Sequence, residues 1–334
     1  MMELTKRFLA IRHYGGNVLL ALLCCLSACN AGQPEVAKLS PEQGRLDRIN
    51  RIDTLSLSTV LNLDSIEGWK QLGTISADAW MLIEDSTGVI ISQKNANESR
   101  PIASLTKMMT CLLALENGNM TDTVRITEDV FIARDSRVRL GDRYEVRHLI
   151  AEMMLLSDND AAYALAKYIG GDTLRFCEMM NEKAAYLGMA NTHFANPNGL
   201  PNLQNYSSAS DLVRLSRYCM SDSTFAQIVG TRETDIPLTD GRHLPCLNTN
   251  ALLATYDGCI GIKTGFTRQA GNCLASAATR DGVTLYLVLL NSRSRSSRFT
   301  ESALLLNYGF NVMRAFHGHY LSAGSRETNP SHRF

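Results

Sequence analysis

An excess of either charge is the first thing this chain lacks. Its 33 Lys and Arg balance 33 Asp and Glu, and no basic run is long enough to follow a phosphate backbone. Nucleic acid is therefore not an expected partner, because such binding rests on neutralising phosphates. The seven histidines, including His148 and His193, form no ligand cluster, and no CxxC pair occurs, so neither a metal nor another cofactor is expected. No internal repeat is visible. The longest apolar run, Val18 to Ala28, falls short of the roughly 20 residues that span a bilayer as a helix. What remains is an ordinary globular composition, 45% hydrophobic and 20% charged over 334 residues, sufficient for one large core or two modest domains.

That short apolar run follows Lys6, Arg7 and Arg12, the charged and apolar regions of an export signal. It ends in Leu26-Ser27-Ala28-Cys29, which resembles the lipobox of bacterial lipoproteins. The resemblance implies cleavage before Cys29 and acylation of that cysteine, with residues 1–28 as a lipoprotein signal peptide. Removing them takes out three basic residues and Glu3, leaving 30 basic against 32 acidic side chains, so the mature chain is no polycation drawn to anionic lipid. Membrane attachment would rest on acyl chains, several of which hold where one is marginal. Export permits disulfides among the six later cysteines, although a chain of this size does not need them. Cys111, within "MMTCLLAL", reads as a small buried hydrophobe.

Residues 29–74 are polar and uneven, which reads as a tether. Leu46, Ile49, Ile52 and Leu55 recur at helical spacing and would place one short helix in it. From Ala79, "AWMLIEDSTGVIISQ" is two β-prone runs around Asp85-Ser86-Thr87-Gly88, a hairpin. A helix begins near Ala103. The stretch 120–245 is mostly helical in pattern, with a break at Ser157-Asp158-Asn159, stops at Gly170-Gly171 and Gly188, and a loop over "NTHFANPNGLPN". "GIKTG", "NCLASAAT" and "VTLYLVLLN" are late strands, and "ESALLLNYGFNVMRAF" closes the body as a helix near Phe316, with 317–334 as a tail. Strands at both ends of a helical block predict an α+β fold, one antiparallel sheet packed against helices, within a body of 75–316.

Three short motifs carry chemistry. Ser104 and Lys107, three apart, share a helix face. A hydroxyl is a poor nucleophile until its proton is taken, and a lysine desolvated among Met and Leu can take it. Ser157-Asp158-Asn159 puts a hydroxyl and an amide at a helix break, where Ser157 or Asp158 would also serve as N-cap. Lys263 and Thr264, between Gly261 and Gly265, offer a cation and a hydroxyl on a strand slim enough to pass close to a ligand.

SxxK, SDN and KTG in this order resemble the signature of penicillin-binding proteins and class A β-lactamases. The likeness is narrower still to the low-molecular-mass serine D-alanyl-D-alanine carboxypeptidases, peptidase family S11, carried by "ASLTKMMT", "HLIAEMMLLSDNDAAYALA", "LNTNALL" and "GIKTGFTRQAGNCLASAAT" over roughly 80 to 310. It implies a β-lactamase/transpeptidase-like fold with the site between the sheet and an all-helical region. Ser104 would be acylated by the penultimate D-alanine carbonyl of a peptidoglycan stem, and Lys107 would take its proton. Ser157 and Lys263 would relay it to the leaving amine. Asn159 would bind the peptide carbonyl and Thr264 the carboxylate, while the backbone N–H groups of Ser104 and of Phe266, just past Gly265, would form the oxyanion hole. β-Lactams would be covalent inhibitors. The resemblance also implies an exported enzyme of the bacterial envelope, its catalytic body in the periplasm and held to a membrane through Cys29.

Two departures stand out. Many relatives carry a second β-rich domain, for which only about 20 residues follow Phe316 here, and some carry an arginine where this chain has Thr249. Alternatives on the same fold are a D,D-endopeptidase cutting cross-links and a serine β-lactamase; for the latter, Glu178, Glu182 and Glu233 are the glutamates between the second and third motifs, none in the context of a deacylating loop. A lapsed enzyme that only binds peptidoglycan would not need the intact Ser104-Lys107 pair.

Overall fold

The computed structural model describes residues 40–50, 57–59, 61–131 and 136–326. The signal segment and Cys29 lie outside them, as do Ile52 and Leu55.

One antiparallel sheet organises the body. Its strands are β1 (Ala79–Glu84), β2 (Ile90–Lys94), β7 (Cys259–Thr267), β8 (Gly271–Arg280) and β9 (Val283–Ser292), in the order β2-β1-β9-β8-β7. The two ends of the chain thus meet at β1 and β9, where Ala79 pairs with Leu290 and Glu84 with Leu285. Alternate residues point to opposite faces. Met81, Ile83, Tyr286 and Val288 enter one apolar cluster, whereas Trp80, Leu82, Leu285 and Leu287 enter another. Both faces are covered, which is why these strands read as continuous apolar runs rather than as an alternation. The β1–β2 turn is stapled by the Glu84 carboxylate, which accepts from the backbone N–H groups of Ser86 and Thr87, both at 2.8 Å, while Gly88 takes a positive φ of 72°.

The second cluster lies under the closing helix, which runs from Ser297 to Arg326 and buries Leu305, Leu306, Tyr308 and Val312. The first cluster holds the helical block. It comprises Lys107–Asn117 (α3), Val146–Leu155 (α4), Asn159–Gly170 (α5), Thr173–Tyr186 (α6), Ala209–Met220 (α7) and Ser223–Gly230 (α8). Of the expected caps, Asp158 fills the one before α5, accepting from Asp160 and Ala161 N–H at 2.9 Å each.

In three places the structure adds to what the sequence suggests. Within 29–74, the short helix expected around Leu46 and Ile49 forms and packs on the body. Helix α1 (Pro41–Asn50) buries Ile49 to 1% exposure, and its Arg48 joins Arg217 of α7 on the Asp85 carboxylate. Farther on, Leu57 sits in the second cluster, and Leu72 of the short helix α2 (Trp69–Leu72) packs against it. A polar surface with one apolar residue per turn suffices to dock a helix, and that pattern reads the same as a linker when the partner face is far off in sequence. The tail after Phe316 continues the closing helix as far as Arg326. The stretch 120–245 also includes two ribbons, β3 (Thr123–Arg125) with β4 (Arg143–Glu145), and β5 (Glu233–Pro237) with β6 (His243–Leu247). Strands of three to five residues are too short for alternation to separate them from loop.

Candidate active site

The serine of the first motif sits not on the α-helix itself but on a 3-10 turn, Ala103–Thr106, that leads into α3 at Lys107. Ala103 is held at φ +48°, an uncommon conformation for a residue with a Cβ, and one that must be imposed by its surroundings. Two glycines supply that confinement. A Cβ on Gly199 would stand 1.9 Å from the Ala103 carbonyl oxygen, and one on Gly265 3.2 Å from the Ser104 backbone nitrogen. The glycine of the KTG motif therefore lets β7 pass close to the nucleophile's own backbone.

Lys107 is fully buried. Its Nζ donates to Ser104 Oγ at 3.0 Å, to Asn159 Oδ1 at 2.8 Å and to the Asn198 carbonyl at 2.7 Å. The first two contacts join the SxxK and SDN motifs directly. The third comes from the Asn- and Pro-rich loop, which is a built scaffold: Thr110 Oγ1 donates to the Pro197 carbonyl at 2.6 Å, and Gly199 N–H to Asn196 Oδ1 at 2.7 Å. Asn198 had no signal in the sequence, because it acts through its backbone.

Ser157 adopts φ +66° at the break between α4 and α5. Asp158 holds that break in place. Besides its capping bonds it accepts from Ser136 Oγ at 2.7 Å and from Arg137 N–H at 2.8 Å. Ser157 and Asn159 open onto a cleft of about 760 Å³ whose other walls include Arg137, Glu233 and Thr249.

From the sheet side, β7 brings Lys263, fully buried, and Thr264, 4% exposed. Burial pushes the Lys263 ammonium well below the usual lysine range, and the charges of Lys107 and Arg298 push it further in the same direction. Thr264 Oγ1 and Thr249 Oγ1 lie 2.7 Å apart, so the position where some relatives carry arginine here extends a pair of hydroxyls. Phe266 is 59% exposed at the rim. Arg298, from the first turn of the closing helix, is buried and donates to the Gly265 carbonyl at 3.0 Å. It was not legible among the arginines of "NSRSRSSRFT", since only the tertiary packing separates it from its solvated neighbours. Hydrogen bonds thus join Ser104, Lys107 and Asn159, Gly265 packs against the Ser104 backbone, Ser157 and Asn159 share the cleft with Thr249, and Thr249 meets Thr264, while Lys263 and Phe266 flank Thr264 and Gly265 on the same strand. Among the described residues no group of three His, Cys, Asp or Glu could hold a metal.

A half-buried serine whose hydroxyl meets a dehydrated lysine is equipped for acyl transfer, with the serine as the group that is acylated. The arrangement belongs to the serine–lysine class of acyl-transferring enzymes. Within that class the chain belongs to the D-alanyl-D-alanine carboxypeptidase family, which it matches over residues 67–294. It is 33% identical over 241 residues to the D-alanyl-D-alanine carboxypeptidase DacF of Bacillus subtilis, covering 70% of this chain and 62% of that protein. It is 35% identical over 256 residues to the D-alanyl-D-alanine carboxypeptidase of Streptomyces sp. strain K15, covering 71% of this chain and 88% of that one. The crystal structure of the Streptomyces K15 DD-transpeptidase superposes with a TM-score of 0.66 at 34% identity, over 71% of this chain and 97% of that chain. The fold is accordingly the transpeptidase-like α+β fold expected from the motifs.

Proposed function

We propose that this chain is a serine D-alanyl-D-alanine carboxypeptidase that removes the terminal D-alanine from peptidoglycan pentapeptide stems through an acyl-enzyme on Ser104. The observation that carries this reading is the buried Lys107 Nζ, within hydrogen-bond reach of both Ser104 Oγ and Asn159 Oδ1. In the neutral amine form that burial favours, Lys107 takes the Ser104 proton and becomes the ammonium as Oγ attacks the penultimate D-alanine carbonyl. The oxyanion is met by the backbone N–H groups of Ser104 and Phe266, and Asn159 holds the acyl-side amide. Lys263, pressed by burial and by two neighbouring cations to give up its proton, passes one through Ser157 to the departing D-alanine nitrogen. Thr264 receives the terminal carboxylate. Water then attacks the ester, freeing the tetrapeptide and the serine. A β-lactam enters the same path and stops at the acyl-enzyme. Glu178 and Glu182 pair with Arg175 on α6, and Glu233 is exposed on the outer wall of the cleft, so none is placed as a deacylating base beside Ser104.

Thr264 and Thr249 are suited to a carboxylate one residue past the scissile bond. Amidating that end removes an ionic partner, and charged hydrogen bonds are worth about 1.5–3 kcal/mol, so turnover should fall roughly 10- to 150-fold. The measurement is D-alanine release from a muramyl-type pentapeptide and from its C-terminal amide, beside cleavage of cross-linked dimer. Equal turnover of acid and amide, or dimer cleavage far outrunning D-alanine release, moves the reading to a D,D-endopeptidase on the same serine.

The chain works outside the cytoplasm, where its substrate is. The LSAC sequence supports a lipoprotein whose Cys29 holds the catalytic body to a membrane. Cys29→Ala should abolish labelling by radioactive palmitate and leave the precursor unprocessed. An exported wild-type protein that takes up no label would reduce Val18 to Ala28 to a plain secretory signal.

A further inference from the structure

We propose that Glu152 is a positioning residue of the acylation site, neutral in the working enzyme, whose ionisation would loosen Asp158 and with it Ser157 and Asn159. The proposal rests on the acyl-transfer reading above.

Glu152 lies in the last turn of α4, where its carbonyl accepts the Leu156 N–H at 3.0 Å and ends the helix just before Ser157. It is wholly buried, and the Tyr144 phenol is the one hydrogen-bonding group that reaches its carboxyl among the described residues, too long or bent for a full bond. A carboxylate left in that state is costly unless it keeps its proton. Its surroundings reinforce this. Asp158 faces it from the helix break, Asp142 and the Tyr144 phenol from the β4 side, Arg137 from the loop before β4, and Cys246 from β6. Asp142 is already engaged by Arg242, and the Arg137 guanidinium is exposed and donates to the Pro245 carbonyl at 3.2 Å, so no cation is committed to Glu152. Burial first, then Asp158, raises the Glu152 carboxyl to about 8.

Asp158 translates this into geometry at the site. Its carboxylate gathers Ser136, Arg137 and the first N–H groups of α5. Asn159, the first residue of α5, accepts the Lys107 hydrogen bond. A second negative charge at Glu152 would repel Asp158, and Asp158 cannot move without shifting Ser157 and Asn159 relative to Lys107.

The test is the pH dependence of acylation by a fluorescent penicillin for wild type and Glu152→Gln. A group titrating near 8 is protonated in only about one molecule in ten at about pH 9, so wild type should lose roughly tenfold relative to neutral pH. Glu152→Gln should abolish that decline, so its alkaline-to-neutral rate ratio rises by about the same factor. An unchanged ratio in the folded variant overturns the proposal, whereas a wild type that forms no adduct at any pH overturns the acyl-transfer reading instead.

Stability provides a second readout. The folded carboxyl titrates above its unfolded value of 4.5, so the native state binds the extra proton and Glu152 costs stability increasingly as pH rises from there to about 8. Glu152→Gln should therefore melt above wild type in alkali, with the difference vanishing below about pH 4. Should the variant not fold, infrared spectra of wild type decide: a protonated-carboxyl band that persists at neutral pH and disappears near 8 supports the proposal, and its absence overturns it.

Discussion

Ser104→Ala abolishes both the penicillin adduct and D-alanine release, with loss of turnover by about 10⁴-fold or more, as when the nucleophile of a catalytic unit is removed. The substitution should cost little stability. Lys107 keeps Asn159 and Asn198 as acceptors, and only its 3.0 Å contact with Oγ disappears, a change of roughly 1 kcal/mol. Folded, inert protein is thus the expected outcome, checked by intact mass after penicillin treatment and by circular dichroism. In wild type the mass increment should localise to the peptide containing Ser104. Two other serines are close enough in chemistry to mislead: Ser157 lines the cleft beside Asn159, and Ser136 is committed to Asp158. An adduct that maps to Ser157, or that survives in Ser104→Ala, sinks the assignment of the nucleophile.

Lys107→Ala slows acylation by about 10²- to 10⁴-fold, the range for loss of a positioned proton acceptor, and leaves the residual adduct on Ser104. Unlike the serine, the lysine also organises the site. Its removal leaves the Asn198 carbonyl and Asn159 Oδ1 without their donor, each an unsatisfied acceptor costing about 1–3 kcal/mol if water does not enter. A lower melting temperature should therefore accompany the kinetic defect, and rates should be read well below it. One of the neighbouring charges that depress Lys263 also disappears, so Lys263 should hold its proton to higher pH in the variant. Acylation at the wild-type rate in folded Lys107→Ala would show that another group takes the serine proton.

The site was legible in the sequence to the extent that its parts are local. Ser104 and Lys107 are three residues apart, and so short a spacing brings the two heads together on any helical turn, including the 3-10 turn observed. The same holds for the β1–β2 turn and for Asp158 as a cap, where a side chain satisfies N–H groups two or three residues away. Arg298, Asn198 and Glu152 were not legible. The first looks like any surface arginine, the second acts through its backbone, and the third sits where an amphipathic reading of α4 would allow solvent. The short ribbons β3–β4 and β5–β6 escaped because pairing across 17 or more residues in the first case, and a hairpin of largely exposed residues in the second, leave no apolar alternation.

What the sequence by itself determined is the set of reactive groups and their order: a serine with a lysine one turn on, an SDN break, and a KTG strand, together with the apolar runs that make one sheet from both ends of the chain. Only the tertiary structure decided what those groups can do. Lys107 meets Asn159 from 52 residues away and the Asn198 carbonyl from 91, and Gly265 presses on the backbone of Ser104 from the far end of the chain. Dehydration and electrostatic coupling depend on everything within a few ångströms of a group, whatever its distance along the chain. A spacing of three residues can name a nucleophile and its base, but the exclusion of water that makes the lysine a base is supplied by the packing of the whole fold.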